Sequence, residues 1–223
     1  MQAVILAAGK GTRLKPLTDN TPKPLLRVGK EVLLEYILRA VEPFVDDITV
    51  ITGYCEEQVC AYIEKRKNAG SVRCVGQGSL GGTWGALVSA REFIKDEPFL
   101  VLNGDDYIEA FDVETLIARA PSCGLQQATM PGYEEILIEK EMVSGWQPRR
   151  GDTALSATGM YALTKEVFEF EPVFMNETEA GLPHTLFAHP EYALRAVLTT
   201  SWVRVNTHEE LAALKVMLAQ KDM

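Results

Sequence analysis

Arg13 and Lys23 stand ten residues apart, just after Gly9 and Gly11, in a segment that begins where the apolar run Ala3-Val4-Ile5-Leu6-Ala7-Ala8 ends. Glycines at the end of a strand let backbone N–H groups approach an anion with no Cβ in the way. The two cations add fixed positive charge, and Pro22 and Pro24 on either side of Lys23 restrict its backbone. Phosphate oxygens suit such a loop. Further on, Asn103-Gly104-Asp105-Asp106 closes a second apolar run with carboxylates of the kind that hold Mg²⁺. Between the two lies Gly76-Gln77-Gly78-Ser79-Leu80-Gly81-Gly82-Thr83. The Gln77 amide offers a donor and an acceptor to a pyrimidine edge, but cannot by itself separate uracil, thymine and cytosine.

Two familiar phosphate loops are excluded. A Walker loop needs Lys-Ser or Lys-Thr after its last glycine, whereas Gly11 is followed by Thr12-Arg13. The dinucleotide fingerprint, counted from Gly9, would place its third glycine where Leu14 stands. The whole string LAAGKGTRLKPLTDNTPKPLL instead resembles the signature of the sugar-1-phosphate nucleotidylyltransferases, in the short form without a left-handed β-helix. The resemblance implies a Rossmann-like three-layer α/β fold, with a mostly parallel central sheet and a smaller β-rich substrate lobe. It implies a pyrimidine nucleoside triphosphate joined to a sugar 1-phosphate with release of pyrophosphate, and Mg²⁺ as cofactor.

Carried over residue by residue, the resemblance assigns Arg13 and Lys23 to catalysis. Leu6, Ala8, Gly9, Gly11, Thr12, Arg13, Gln77, Gly82 and Thr83 would bind the nucleotide. Asp105 would hold the metal, in preference to Asp106. The second metal ligand belongs to a late motif that here reads Trp202-Val203-Arg204-Val205-Asn206. Relatives with Trp-x-Asp have a carboxylate where this chain has Arg204, and since a guanidinium cannot bind a cation, Asn206 takes the role. Gly159, Glu179, Glu139 and Lys140 match acceptor-binding positions, although Glu141 stands where proline is usual and the spacing to Gly159 is long. Trp84 replaces a small residue, either crowding the pocket or packing the helix start. Two alternatives stay open. One is a cytidylyltransferase acting on phosphocholine or a phosphonate, with Trp84, Tyr107, Tyr133 or Trp146 facing the quaternary amine. The other is a non-catalytic nucleotide-binding subunit.

The elements that must position these groups follow from periodicity. Leu33, Leu34, Ile37, Leu38 and Val41 share one helical face within 32–41, before Pro43. Strands are expected at 48–51, 72–75 and 99–102, with helices at 56–67 and 84–94, so strand and helix alternate as in a parallel sheet with covered faces. Beyond Asp106 the alternation loosens into strand-like runs at 125–130, 135–140 and 157–163, while 143–152 reads as a loop. Thr207-His208-Glu209-Glu210 has capping-box form and opens a helix through Leu211, Leu214, Met217 and Leu218. In an open α/β sheet ligands gather at the carboxyl ends of the strands, where the Gly9 loop, the Gln77 loop and Asp105 should therefore meet.

A chain of 223 residues suits one nucleotidyltransferase domain, 1–110 binding the nucleotide and 111–223 supplying the acceptor part and the C-terminal helix. Its net charge of −9 argues against nucleic-acid partners and anionic membranes. The N-terminus lacks a basic flank or cleavage site and no apolar stretch approaches spanning length, so a cytoplasmic location is expected. The expected partners are a nucleoside triphosphate and a phosphorylated small molecule, and a homo-oligomer is admitted. Cys55, Cys60, Cys74 and Cys123 form no C-x-x-C pair and read as buried thiols rather than zinc ligands or disulfides.

Overall fold

The computed structural model of the protein describes residues 1–66, 71–128 and 134–221. The first strand, β1 (Gln2–Leu6), is buried along its whole length. The loop that follows leads through two single 3₁₀ turns to a small hairpin, β2 (Arg27–Val28) and β3 (Glu31–Val32), and then to α1 (Leu33–Val41). Val32 thus belongs to the hairpin, and the five apolar positions expected on the helix face are all buried. Next come β4 (Asp47–Thr52), α2 (Glu56–Glu64), β5 (Ser71–Gly76), α3 (Gly82–Ser89) and β6 (Phe99–Asn103).

The alternation does not loosen after Asp106. Helix α4 (Ala110–Ala118) and strand β7 (Ser122–Ala128) add one more unit before β8 (Glu134–Glu139), β9 (Met142–Pro148) and β10 (Ala154–Leu163). The expectation of a loop over 143–152 is corrected, because residues 142–148 pair antiparallel with β8. Only Val143 of β9 is buried, so the strand depends on its neighbour rather than on local pattern. Helix α5 (Leu182–Phe187), β11 (Arg195–Leu198) and α6 (His208–Lys221) complete the chain. Lys67, Met130 and Tyr133 lie outside the described residues.

Apart from the β2–β3 hairpin, the strands form one sheet in the order β5-β4-β1-β6-β10-β7-β11-β9-β8. Strands β5, β4, β1 and β6 are mutually parallel, β7 and β11 are parallel to each other, and β10 runs antiparallel to both β6 and β7. Side-chain alternation along β1 explains its continuous burial. Ala3 and Ile5 enter a core under α1, α2 and α4, while Val4 and Leu6 enter one under α3 and α5. Three layers result.

A third, smaller core sets the geometry of the site. It joins Leu14, Leu26 and Val28 from the first loop and hairpin to Tyr107, Val205 and the inner face of α6, namely Leu211, Leu214 and Leu218. Arg13, Lys23, Asp105 and Asn206 each stand within three residues of one of these anchors. Of the cysteines only Cys123 is fully buried, while Cys55, Cys60 and Cys74 are half-buried, which corrects the reading of four buried thiols. Among the described residues no helix is long and apolar enough to cross a membrane.

Candidate active site

Three side chains converge at the carboxyl edge of the sheet. The Lys23 ammonium donates to Asp105 Oδ2 at 2.7 Å and to Asn206 Oδ1 at 2.8 Å. Gly11 makes room for this. It sits at φ +60°, and a Cβ there would lie 3.0 Å from the Lys23 Cβ and 3.1 Å from Thr18 Cγ2. Thr18 Oγ1 donates to the Gly11 carbonyl at 2.8 Å, closing the loop on itself.

The loop is also held from outside. Tyr54 donates its hydroxyl to the carbonyls of Thr18 and Asp19, Gln58 donates to that of Asn20, and His208 Nε2 lies 2.9 Å from the carbonyl of Lys15. Within this frame Gly9, Lys10, Thr12 and Arg13 are exposed, and neither Lys10 nor Arg13 has an ion pair among the described residues. Leu6 packs its side chain into the core and accepts from Gly104 N at 2.9 Å, and the Ala8 carbonyl accepts from Tyr54 N at 3.2 Å.

Asp105 and Asp106 are separated by burial. Asp105 is 29% exposed on its side chain, whereas Asp106 is buried and accepts from Trp202 Nε1 at 3.1 Å and Val205 N at 3.3 Å. Burial first, and then the neighbouring Asp105 charge, push the Asp106 carboxyl up to about 6, against the pull of Lys23, Trp202 and Val205. Asp106 therefore ties the late motif to the end of β6, and Asp105 faces the loop. Arg204 pairs with Glu210 through Nε at 2.7 Å and Nη2 at 2.6 Å. The other Glu210 oxygen accepts from Asn206 N at 2.6 Å and Thr207 N at 3.0 Å, with Thr207 Oγ1 accepting in return from Glu210 N. This capping box orients Asn206, and Arg204 neutralises the glutamate that builds it.

Asp105 and Asn206 present hard oxygen atoms to one cation, the Lys23 ammonium. The pair fits a divalent ion that completes its shell with phosphate and water oxygens.

The Gln77 loop is clipped to the segment before α5. Gly81 N donates to Thr178 O at 2.9 Å, Ala180 N to Gly81 O at 3.1 Å, Trp84 N to Ala180 O at 3.0 Å, and Leu182 N to Thr83 Oγ1 at 2.8 Å. Gly82, at φ +79°, can be no other residue without a Cβ 2.3 Å from Ala180 O. Both amide hydrogens of Gln77 are engaged, by Leu80 O at 2.9 Å and Gly82 O at 3.0 Å, so among the described residues its oxygen is left open as an acceptor. Trp84 is buried in the core and packs the start of α3.

The clip brings exposed Glu179 beside the Gln77 loop, its carboxylate accepting from Asn176 Nδ2 at 2.9 Å. Gly159 also reaches the edge, one residue beyond the Met160–Leu102 register, where a Cβ would lie 2.1 Å from Asn103 Nδ2. Glu139 and Lys140 do not. They occupy the β8–β9 turn, where Glu141 O accepts from Ala196 N and its carboxylate pairs with Arg119 after α4, at the amino ends of β7 and β11. Their expected acceptor role is dropped, because the cluster lies at the opposite ends of the strands. Tyr54, Gln58, His208, Trp202 and Glu210 hold the site without being foreseen. Only the capping-box spacing of Glu210 signalled one of them.

Residues 2–135 match the family described as nucleotidyl transferase. The chain belongs to this family. Its similarity to the bifunctional protein GlmU of Methanocaldococcus jannaschii is 32% identity over 173 residues, covering 76% of the chain and 41% of that protein. The chain therefore spans about two fifths of that relative's length. It is 27% identical over 203 residues to a probable glucose-1-phosphate cytidylyltransferase of Bacillus subtilis, covering 77% of the chain and 78% of the relative. A solved UDP-glucose pyrophosphorylase in complex with UDP-glucose superposes with a TM-score of 0.81 at 18% identity, over 99% of the chain and 98% of the other. That likeness establishes the Rossmann-like fold.

Proposed function

We propose that the protein joins a pyrimidine nucleoside triphosphate to a sugar 1-phosphate and releases pyrophosphate, with Mg²⁺ held by Asp105 and Asn206. The observation that carries this reading is the convergence of Lys23, Asp105 and Asn206 beside a loop that leaves Arg13 exposed and unpaired among the described residues. The acceptor phosphate is already largely dianionic at pH 7, since the second pKa of such a group is about 6. It can attack the α-phosphorus without a general base. What the protein must supply is alignment and charge neutralisation.

In this reading Arg13 grips the departing β- and γ-phosphates and Lys23 the α-phosphate together with the attacking oxygen. Gln77, with Gly82 and Thr83, borders the base, and Gly159 and Glu179 border the sugar. Asp105 and Asn206 would hold the metal, which would supply Lewis-acid neutralisation of phosphoryl oxygens. The acceptor-only Gln77 oxygen suits an N–H of the base, found on uracil, thymine and cytosine alike. The likeness to a glucose-1-phosphate cytidylyltransferase supports the sugar phosphate as acceptor.

Of the aromatic groups considered for a quaternary amine, Trp84 lies in the core and Tyr107 in the third core beside Tyr36. Trp146 remains exposed, edge-on to His184. The deciding experiment is pyrophosphate release from UTP, dTTP, CTP and ATP against glucose 1-phosphate, N-acetylglucosamine 1-phosphate and phosphocholine. Release with a pyrimidine triphosphate and a sugar phosphate is expected. Release with phosphocholine alone would replace the acceptor, and no release at all would overturn the reading.

Arg13→Ala separates the roles of the two cations. It is expected to weaken nucleoside triphosphate binding by about tenfold, the worth of one charge-assisted phosphate contact, and to leave monophosphate binding within about twofold. Titration calorimetry with both nucleotides checks this, and equal losses would remove Arg13 from the leaving group.

A further inference from the structure

We propose that Lys23 is the resident counter-ion of the Asp105–Asn206 oxygen pair in the free protein, and that it keeps divalent cations off this pair until nucleotide phosphates draw it away. The proposal rests on the metal and nucleotide assignment above. Lys23 is the least accessible member of the cluster, with 4% of its side chain exposed, and its ammonium contacts both prospective metal ligands at 2.7 and 2.8 Å. An ammonium and a divalent cation cannot occupy one pair of oxygens, because like charges about 3 Å apart repel strongly at a protein surface. One must leave.

Among the described residues the other two carboxylates of the cluster are already engaged. The Asp106 oxygens already accept from Trp202, Val205 and Asn103, and the Glu210 oxygens from Arg204, Asn206 and Thr207. Asp105 is thus the available carboxylate of the late-motif cluster, and in the free protein its charge is balanced by Lys23.

The stem and the head of Lys23 are constrained differently. Its Cβ is packed against Gly11 and its backbone lies in a 3₁₀ turn opened by Pro22, so the stem is fixed. The ammonium has Asp105 and Asn206 as its hydrogen-bond partners, and it meets a competing phosphate by turning toward the Gly9–Gly11 loop. A triphosphate in that loop offers several anionic oxygens in place of one carboxylate and one amide. When the ammonium moves to phosphate, the oxygen pair is released to the metal. Metal and nucleotide then bind with positive coupling, each strengthening the other by the same factor.

The test uses Mn²⁺, which reports binding directly by electron paramagnetic resonance, with no nucleotide present. Lys23→Met keeps the length and the apolar stem while removing the charge. It is expected to bind Mn²⁺ about tenfold more tightly than the wild type, and the gain should vanish in the double variant Lys23→Met/Asp105→Asn. Equal or weaker Mn²⁺ affinity in folded Lys23→Met overturns the proposal, as does a gain that survives loss of the Asp105 charge.

A second measurement uses the unaltered protein. Labelling of Lys23 by an amine-reactive reagent, read by peptide mass spectrometry, should be slow in the free protein and should rise at least about threefold when Mn²⁺ saturates the site. Labelling that does not respond to Mn²⁺ overturns the exchange. The transferase reading fails by a different result, absence of pyrophosphate release from every triphosphate by the wild type.

Discussion

Asp105→Ala is expected to lower turnover by about two to three orders of magnitude with Mg²⁺ present, while the fold persists. Among the described residues the Asp105 side chain supports no backbone group, so its loss leaves the sheet and the turn after β6 intact, at a cost in stability because the buried Lys23 ammonium keeps only the Asn206 oxygen. Asp106 cannot replace it. That carboxylate is buried and engaged by Trp202 and Val205, and moving it would release the late motif that delivers Asn206. What remains after the substitution is one neutral amide oxygen, which neutralises no charge. Removing a preorganised electrostatic element from a phosphoryl-transfer site costs roughly a hundredfold or more in rate. Pyrophosphate release at saturating substrates, set beside the unfolding curve, is the measurement. Turnover within a factor of two of the wild type would remove Asp105 from the metal site.

The first half of the chain was legible because β1, β4 and β6 are buried on both faces and its helices carry one apolar stripe. Val4 and Leu6 on one side of β1 and Ala3 and Ile5 on the other are visible as an unbroken apolar run. Helix α4 was not legible, since its apolar side is narrow. Val113 and Leu116 are its buried apolar residues, and Phe111 is half exposed. Its buried Asp112 serves another segment, accepting from Thr200 N, Ser201 N and the Ser201 hydroxyl. Strand β9 was hidden for a similar reason, because Gly145 and Pro148 suggest a turn and only pairing with β8 makes the segment extended.

In the site, the side chains that the fold brings together, Lys23, Asp105 and Asn206, could be named from the family resemblance. Those that hold it could not. Tyr54 and Gln58 act on backbone carbonyls of the signature loop, and any donor of suitable length could do so. Arg204 was legible as a missing carboxylate but not as the partner of Glu210, since that pairing exists only once the capping box has formed. Glu139 and Lys140 show the opposite failure. A short local match carried them to the acceptor, and the β8–β9 turn takes them to the other end of the strands.

Glu35→Ala is expected to destabilise the protein by about 3–5 kcal/mol at pH 7, the cost of stranding one partner of a buried ion pair. Glu35 of α1 accepts from Arg66 Nε at 2.9 Å and Nη2 at 3.0 Å, from the Tyr62 hydroxyl at 2.8 Å and from Arg39 Nε at 3.0 Å. Glu35 and Arg66 are each 9% exposed on their side chains, so removal of the carboxylate leaves a buried guanidinium with Glu42 as its remaining carboxylate partner. Burial alone would raise the Glu35 carboxyl, but the donors from Arg66 and Tyr62 outweigh it and hold the group below its ordinary value. A carboxyl lowered in the folded state contributes stability above its unfolded value, about 4.3, and loses it as pH falls through the folded value. The gap between wild type and Glu35→Ala should therefore be full at pH 7 and pH 5 and should narrow below about pH 4. Urea unfolding at pH 7, 5, 4 and 3 measures it, and a gap of unchanged size at pH 3 would assign the loss to packing rather than charge. The network also fixes α2, whose Gln58 holds the carbonyl of Asn20 in the signature loop. At temperatures where Glu35→Ala stays folded, its KM for triphosphate should therefore rise more than its kcat falls, because the loop proposed to grip the phosphates is loosened while Asp105 and Asn206 keep their anchors.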